Sequence, residues 1–423
     1  LNDVFGAIFA VDPAEATDPA VASARAAALA GEFILDDQTH HVHDTFAWKD
    51  ILFLRDYAAG KNPEAKAWNP ALGTAPSTLE AYRFDRYIKD VFLDSDTKIA
   101  LLSGFTTDTP ANMALSSDQI VRSRDLINRL AGSRRMLAHG LFWPGFPGYL
   151  DEMDRLAQGL RIDSWKGYTV GDPLGPSKYP WRLDDEKLAY PAYAKARKHG
   201  IRNVCIHKGL MPADYMTSFA NWRYATVEDV GKAAKDWPDL NFIVYHAGLR
   251  PFFDVKATEA EFEKTGRIPW VSELAETAQK LGVRNVYGEI GTAFASTVVT
   301  YPRLAAGMLG TLVKGLGADH VVWGSDAIWY GSPQWQIEAF RRIEIPEDMQ
   351  KRWGFAPLGP ATGMVKRSIF GYNSAALYDL DLSARLGAVP RDFEDRLGVL
   401  RAGYREEPPS RSNAYYGWIH RAV

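Results

Sequence analysis

The chain has 423 residues, of which 46% are hydrophobic and 24% charged, with a formal net charge of −3. That balance describes a globular protein with a large core and gives no reason to expect nucleic acid or an anionic membrane as partner. A single cysteine, Cys205, excludes an internal disulfide and any thiolate zinc cluster, and no apolar run nears the roughly 20 residues that span a bilayer. The row opens on Leu1 rather than methionine, which leaves localisation open: cytoplasmic by default, exported where a leader precedes it.

The stretch TDPAVASARAAALAGE, 17–32, predicts a helix capped by Thr17 or Asp18, with Pro19 in its first turn and Gly31 near its stop. From there short apolar runs alternate with amphipathic stretches. The runs fall at 33–38, 98–105, 134–140, 162–170, 203–209, 242–248, 285–291 and 320–326. Helical patterns fill the gaps at 77–94, 117–131, 149–159, 187–199, 226–236, 271–281 and 303–315, the fourth starting no earlier than Pro191. Eight strands separated by helices predict an α/β fold with a parallel sheet, most simply a closed (β/α)₈ TIM barrel. An open doubly wound sheet competes, but no glycine-rich phosphate fingerprint follows the first strand. The expected layout is an N-terminal helical arm over 1–32, a barrel over 33–382 and a helical or extended C-terminal tail over 383–423.

The first strand runs into LDDQTHHVHDTF, 35–46, with three histidines in four positions. Residues two apart share a strand face, so Gln38 with His40, or His41 with His43, could chelate one ion, but not both pairs together. Other strands end in a similar way: CIHKG brings His207, VYHAG brings His246 and VWGSD brings Asp326. A barrel delivers all its strand ends to one face, where Gln38, His40, His207, His246 and Asp326 would meet as an N/O donor set suited to Zn²⁺ or Mn²⁺. The plain alternative, each histidine bonding a backbone carbonyl at its strand end, serves well for one of them and poorly for a repeated pattern.

These motifs in this order resemble the amidohydrolase superfamily, and more narrowly the amidohydrolase-related branch that includes aminocarboxymuconate-semialdehyde decarboxylase. The ending IFGYNSAALYDLDL, 369–382, is similar to that branch's turn and helix after the barrel. Asp36-x-Gln38-x-His40 matches the family's D-x-H-x-H with Gln in place of the first His, which favours the Gln38/His40 register. Apolar Ile34, placed on the face of Asp36, points the same way. The resemblance implies one divalent metal, Zn²⁺ before Mn²⁺, held by His40, His207 and Asp326 with Gln38 as a neutral fourth ligand. It implies His246 as general base and Asp326 as a second proton carrier.

Other residues carry weaker readings. Lys166 on the fourth strand is expected to reach the rim or lie along the barrel rather than bridge two metals. Glu289 either orients a ligand or forms a salt bridge, and His139 either lines the pocket or rests in the core. Cys205 reads as a small core residue. Aromatic loops at 44–50, 140–150 and 326–335 suit a planar or aromatic substrate as well as they suit loop packing. The aromatic tail residues suit docking on a second copy, hence an expected homo-oligomer, a dimer. The leading function is a metal-dependent hydrolase of a small aromatic or planar carboxylic acid derivative (an amide, a lactone or a C–C bond). A non-oxidative decarboxylase is the alternative, and a metal-free ligand-binding barrel the third reading.

Overall fold

In the computed structural model, residues 8–61, 67–73, 75–252, 255–380 and 396–406 are described. Most of the expected C-terminal extension lies outside them. Eight parallel strands run in the order β1 to β8: Leu35–Thr39, Ile99–Leu102, Met136–Phe142, Ser164–Tyr168, Asn203–His207, Asn241–Tyr245, Val286–Glu289 and Val321–Val322. Backbone bonds from Asp37 N–H to Trp323 C=O, 2.9 Å, and from Asp326 N–H to Gln38 C=O, 2.9 Å, join the last strand to the first. The result is a (β/α)₈ barrel, as the alternating runs predict.

Strand alternation sorts the core into two layers. Ile34, Ala100, Leu102, Met136, Val204, Ile206, Phe242 and Val244 face the surrounding helices, in the largest hydrophobic cluster. Leu35, Ile99, Leu101 and Leu137 pack inward with Ala375 and Tyr378, and Cys205, Ile243, Tyr245 and Val322 form a second inward group with Leu377. The helix Asn373–Leu377 therefore touches inward side chains of strands from opposite sides of the barrel and closes one end of it. Ser374 Oγ donates to Asp37 Oδ2 at 2.6 Å, and Asn203 Nδ2 donates to Leu377 C=O at 2.6 Å.

The helix Ser117–Ala131 shows why the outer layer forms where it does. Ser116 and Gln119 make a reciprocal capping box, Gly132 ends the helix in the left-handed region, and Ile120, Val121 and Ile127 are buried. Each of those side chains contributes about 1.5–3 kcal/mol by leaving water. The helix Val271–Leu281 also matches its predicted span, and Pro302–Leu316 extends its predicted span by one residue at each end.

Three expectations need correction. The 77–94 stretch is not one helix: a 3₁₀ turn, Leu79–Tyr82, precedes Phe84–Tyr87, and Ile88–Leu93 widens into π geometry. The fourth helix begins at Ala189, because Pro191 in a first turn has no intrahelical N–H bond to lose. Ile34 faces the helices, so it does not by itself set the register of Gln38. The sequence pattern also passes over buried Gly291–Val298, whose apolar and small residues show no polar face to mark it as a helix. No described helix is long and apolar enough to cross a membrane.

Candidate active site

A β-bulge decides which first-strand side chains face the cavity. Leu35 pairs with Ile99 and Asp36 with Ala100, but Thr39 pairs with Leu102, so β1 holds one residue more than β2 across that interval. Without it, Leu35 facing inward would send Gln38 and His40 outward. With it, Asp37 still faces the barrel interior, and Gln38 and His40 line the cavity at the strand ends. Asp36 is a brace rather than a donor to the cavity. It accepts from Ser325 N–H at 2.9 Å and Ser325 Oγ at 2.5 Å, and burial pushes its carboxyl up to about 7.

One cavity of about 640 Å³ is lined by Gln38, His40, His207, His246 and Asp326 together. His207 ends β5 and His246 follows β6 directly. His40 Nε2 lies 3.0 Å from Asp326 Oδ1 and 3.4 Å from the Gln38 amide nitrogen. His207 Nδ1 and His246 Nε2 are 3.0 Å apart, so one of these nitrogens carries the hydrogen and the other accepts it. Burial, then the neighbouring His207 and Lys166, hold His246 well below the ordinary imidazole value. Burial and Lys166 do the same to His207, so both rings are neutral. His246 and Asp326 have φ of 62° and 58°, a left-handed backbone that residues of their type adopt rarely and that recurs at functional sites.

Around this group the packing is specific. Trp329 stacks on His40 with ring centroids 5.1 Å apart, and Tyr168 stacks on His207 at 4.8 Å. Thr292, which the sequence reading does not single out, donates its hydroxyl to Asp326 Oδ2 and lies 2.9 Å from Tyr330 Oη. Since the Thr292 proton goes to the carboxylate, Tyr330 must supply the other, and the three form a chain. Glu289 ends β7 and accepts from His246 N–H at 3.0 Å and Gly291 N–H at 2.6 Å. Burial pushes its carboxyl up to about 8. Gly324 is required beside it, because a Cβ there would lie 1.9 Å from Glu289 Oε1.

Other candidate residues fall elsewhere. His41 is buried against Phe84 and Tyr87, with Nε2 2.9 Å from Ser123 Oγ, and His43 Nδ1 lies 3.0 Å from Thr45 Oγ1. His139 has partners on both nitrogens, Tyr245 Oη at 2.9 Å and Ser164 Oγ at 2.8 Å, and does not line the cavity. Lys166 is fully buried, with Nζ 3.4 Å from the centre of the Tyr245 ring and no hydrogen-bond partner. Burial lowers it to about 7. Cys205 is a buried thiol, pushed up to about 12. Of the aromatic loops, Trp48, Trp329 and Tyr330 reach the cavity, whereas Trp143 and Phe146 stack on each other at 4.3 Å and act as cover.

The donor set fits a divalent ion in chemistry. Donors about 2.0–2.2 Å from one tetrahedral ion lie roughly 3.3–3.6 Å from each other. His40 Nε2 and Asp326 Oδ1, at 3.0 Å, are a little closer than that, and Gln38 Oε1 beside them is buried without a hydrogen-bond partner. Among the described residues no three His, Cys, Asp or Glu side chains gather as a ready metal cluster. The third member beside His40 and Asp326 is a glutamine, and His207 is turned to His246.

The amidohydrolase family model matches residues 126–380, more than half of the chain. No curated protein matches it. Among solved structures the chain is similar to an uncharacterised TIM-barrel protein from Bordetella bronchiseptica, at 15% identity and a TM-score of 0.51, over 82% of this chain and 98% of that one. It is also similar to 5-carboxyvanillate decarboxylase from Sphingomonas paucimobilis, at 17% identity and 0.43, over 82% and 99%. A third is 5-carboxyvanillate decarboxylase from Novosphingobium aromaticivorans with bound manganese, at 14% and 0.42, over 83% and 98%. The likeness to the Bordetella protein is one of fold.

Proposed function

The chain belongs to the amidohydrolase family, and from that premise we propose that it is a metal-dependent hydrolase of an aromatic or planar carboxylic acid derivative. The observation that carries this is the single cavity floor on which Gln38, His40, His207, His246 and Asp326 meet from four strands. A divalent ion, Zn²⁺ before Mn²⁺, held by His40, His207 and Asp326 with Gln38 as a neutral fourth ligand, would polarise a carbonyl and acidify water. The side chains do the rest. Neutral His246 takes a proton from the attacking water, and the carboxylate of Asp326, fixed through Oδ2 by Thr292, is the second group able to carry it. Trp329 and Tyr168, stacked on His40 and His207, keep those rings from turning and exclude bulk water.

A second reading, non-oxidative decarboxylation, is favoured by the cavity walls. They are mostly apolar, with no lysine or arginine among the described residues that line them. A carboxylate placed at the floor would sit in a medium that weakly solvates its charge, which favours its departure as CO₂ while a protein acid protonates the carbon left behind. The experiment is a screen of aromatic amides, lactones and acids, followed by reaction in ¹⁸O-water. Hydrolysis places solvent oxygen in the product acid. CO₂ release with no ¹⁸O in the organic product overturns the hydrolase reading in favour of the decarboxylase. Binding of such compounds without turnover under any metal leaves a ligand-binding barrel.

A further inference from the structure

We propose that the substrate is elongated and largely apolar, at least two rings or a ring with a chain, with one polar end and no second charged group. The proposal rests on the active-site assignment above and concerns the part of the cavity away from the floor.

Size is the first argument. A cavity of about 640 Å³ falls in the middle of the roughly 300–1,000 Å³ that accommodates drug-sized ligands, more room than a single-ring acid fills. Lining is the second. Phe53, Phe105, Leu174, Met211, Phe219 and Phe252 give the upper walls large apolar side chains, matched to an apolar body.

Charge is the third argument. Among the described residues the lining includes the acids Asp50 and Asp326 and no lysine or arginine. Arg250 and Arg267 line a separate surface hollow with Glu273. Several polar side chains in the walls already bond other protein groups. Trp48 Nε1 donates to Asp50 at 3.3 Å, and Asn221 Nδ2 donates to the carbonyls of Ser177 at 3.1 Å and Val170 at 3.4 Å. Ser218 Oγ donates to Asp214 Oδ1 at 3.0 Å. A second carboxylate on the substrate would lose part of its hydration and find the exposed acid Asp50 instead of a cation, which disfavours it.

The test is titration calorimetry on the full chain with benzamide, biphenyl-4-carboxamide and 4′-carboxybiphenyl-4-carboxamide. An extra ring buried in the walls contributes more than 1.4 kcal/mol, so the biphenyl amide should bind at least about tenfold tighter than benzamide. The carboxylated biphenyl should bind at least about tenfold weaker than its parent, and Leu174→Lys should restore most of that loss. Equal binding of the two biphenyls, or no gain over benzamide, overturns the proposal. His40→Ala separates the two readings. If the expected ranking persists there at undiminished affinity, the apolar walls stand and the floor assignment fails. If His40→Ala weakens every ligand while the carboxylated biphenyl still binds as well as its parent, the floor stands and this proposal fails.

Discussion

Where the N-terminal arm meets the barrel, fully buried Arg341 lies between Glu32, Asp96 and Glu338, at 3.0, 2.8 and 2.7 Å. Arg342 pairs with Glu15 and Glu338, and Arg25 with the same two acids. Helix Arg396–Glu406 adds Arg401 against Asp96. Every charged side chain in that cluster faces an opposite charge. The cavity floor is equally buried and built differently: Gln38 Oε1, His40 Nδ1, His246 Nδ1 and Lys166 Nζ beneath them have no hydrogen-bond partner, and Asp326 Oδ1 has the His40 ring at 3.0 Å. A buried polar group without a partner costs about 1–3 kcal/mol; Glu32 Oε1 and Arg342 Nε are unpartnered too, but their side chains meet an opposite charge through another atom. The paired cluster holds segments together, and the other is where the proposed ion and substrate would bind.

Substitution in each cluster should therefore move a different observable. His246→Asn should lower turnover about 10²–10⁴-fold, because the amide cannot take the proton that the imidazole takes. Asn tolerates the left-handed backbone at this position, so the melting temperature should hold. Full activity in this variant would remove His246 from the mechanism. Arg341→Met should do the reverse. Leaving Glu32 without its ion-pair partner, and Asp96 and Glu338 with one cation fewer, should cost about 3–5 kcal/mol in a urea titration, with turnover per folded molecule unchanged. A loss below about 1 kcal/mol would reduce the network to the rank of surface pairs and undo the contrast.

Sequence legibility follows the same division. The eight strands were readable because two-sided burial makes continuous apolar runs, and His207, His246 and Asp326 were readable because each sits at or beyond the end of such a run. The route to Gln38 was not. It depends on one extra residue in β1, which exists only through pairing with β2 and with the backbone after β8, and Ile34 gave a misleading face. Thr292 was equally hidden, since its helix has no periodic signature and its partner Asp326 is 34 residues away. The Arg341 network left only scattered charges in the row, because its members come from six separate segments of the chain.

Lys166 sharpens the comparison from the other direction, as a buried cation that the fold does not pair. Its folded-state value, about 7, lies below the ordinary 10.5, so the unfolded chain binds this proton more tightly than the folded one. The destabilisation is complete below about pH 7 and fades as pH rises towards 10.5. Lys166→Met, which keeps the length of the side chain, should stabilise the fold by about 1–4 kcal/mol near neutrality. Wild-type stability should climb relative to the variant between those two values. Denaturant titrations of both proteins at pH 6, 8 and 9.5 measure this, and a gap that does not narrow with pH would show that folded Lys166 keeps its proton up to pH 9.5 and is not lowered.

The smallest expected effect lies at the residue that most separates this floor from its family's pattern. Gln38 offers a neutral amide oxygen where D-x-H-x-H offers an imidazole, and imidazole is the better Zn²⁺ ligand. Its side chain reaches within 3.4 Å of His40 Nε2, and a Cβ on Gly291 would meet Gln38 Oε1 at 2.9 Å, so the site admits a ring of similar reach only in the same direction. Gln38→His should therefore tighten Zn²⁺ binding by about tenfold, or 1.4 kcal/mol, with a smaller gain for Mn²⁺, whose preference for oxygen is stronger. Calorimetry with each ion on metal-stripped protein measures both. His43→Ala is the control: His43 bonds Thr45 and does not line the cavity, so its loss should leave metal affinity unchanged. An unaltered affinity in Gln38→His would place the first-strand side chain outside the ion's reach and leave His40 as the contribution of β1. A loss of affinity in His43→Ala would instead return the site to the other register, against the bulge that turns Gln38 and His40 inward.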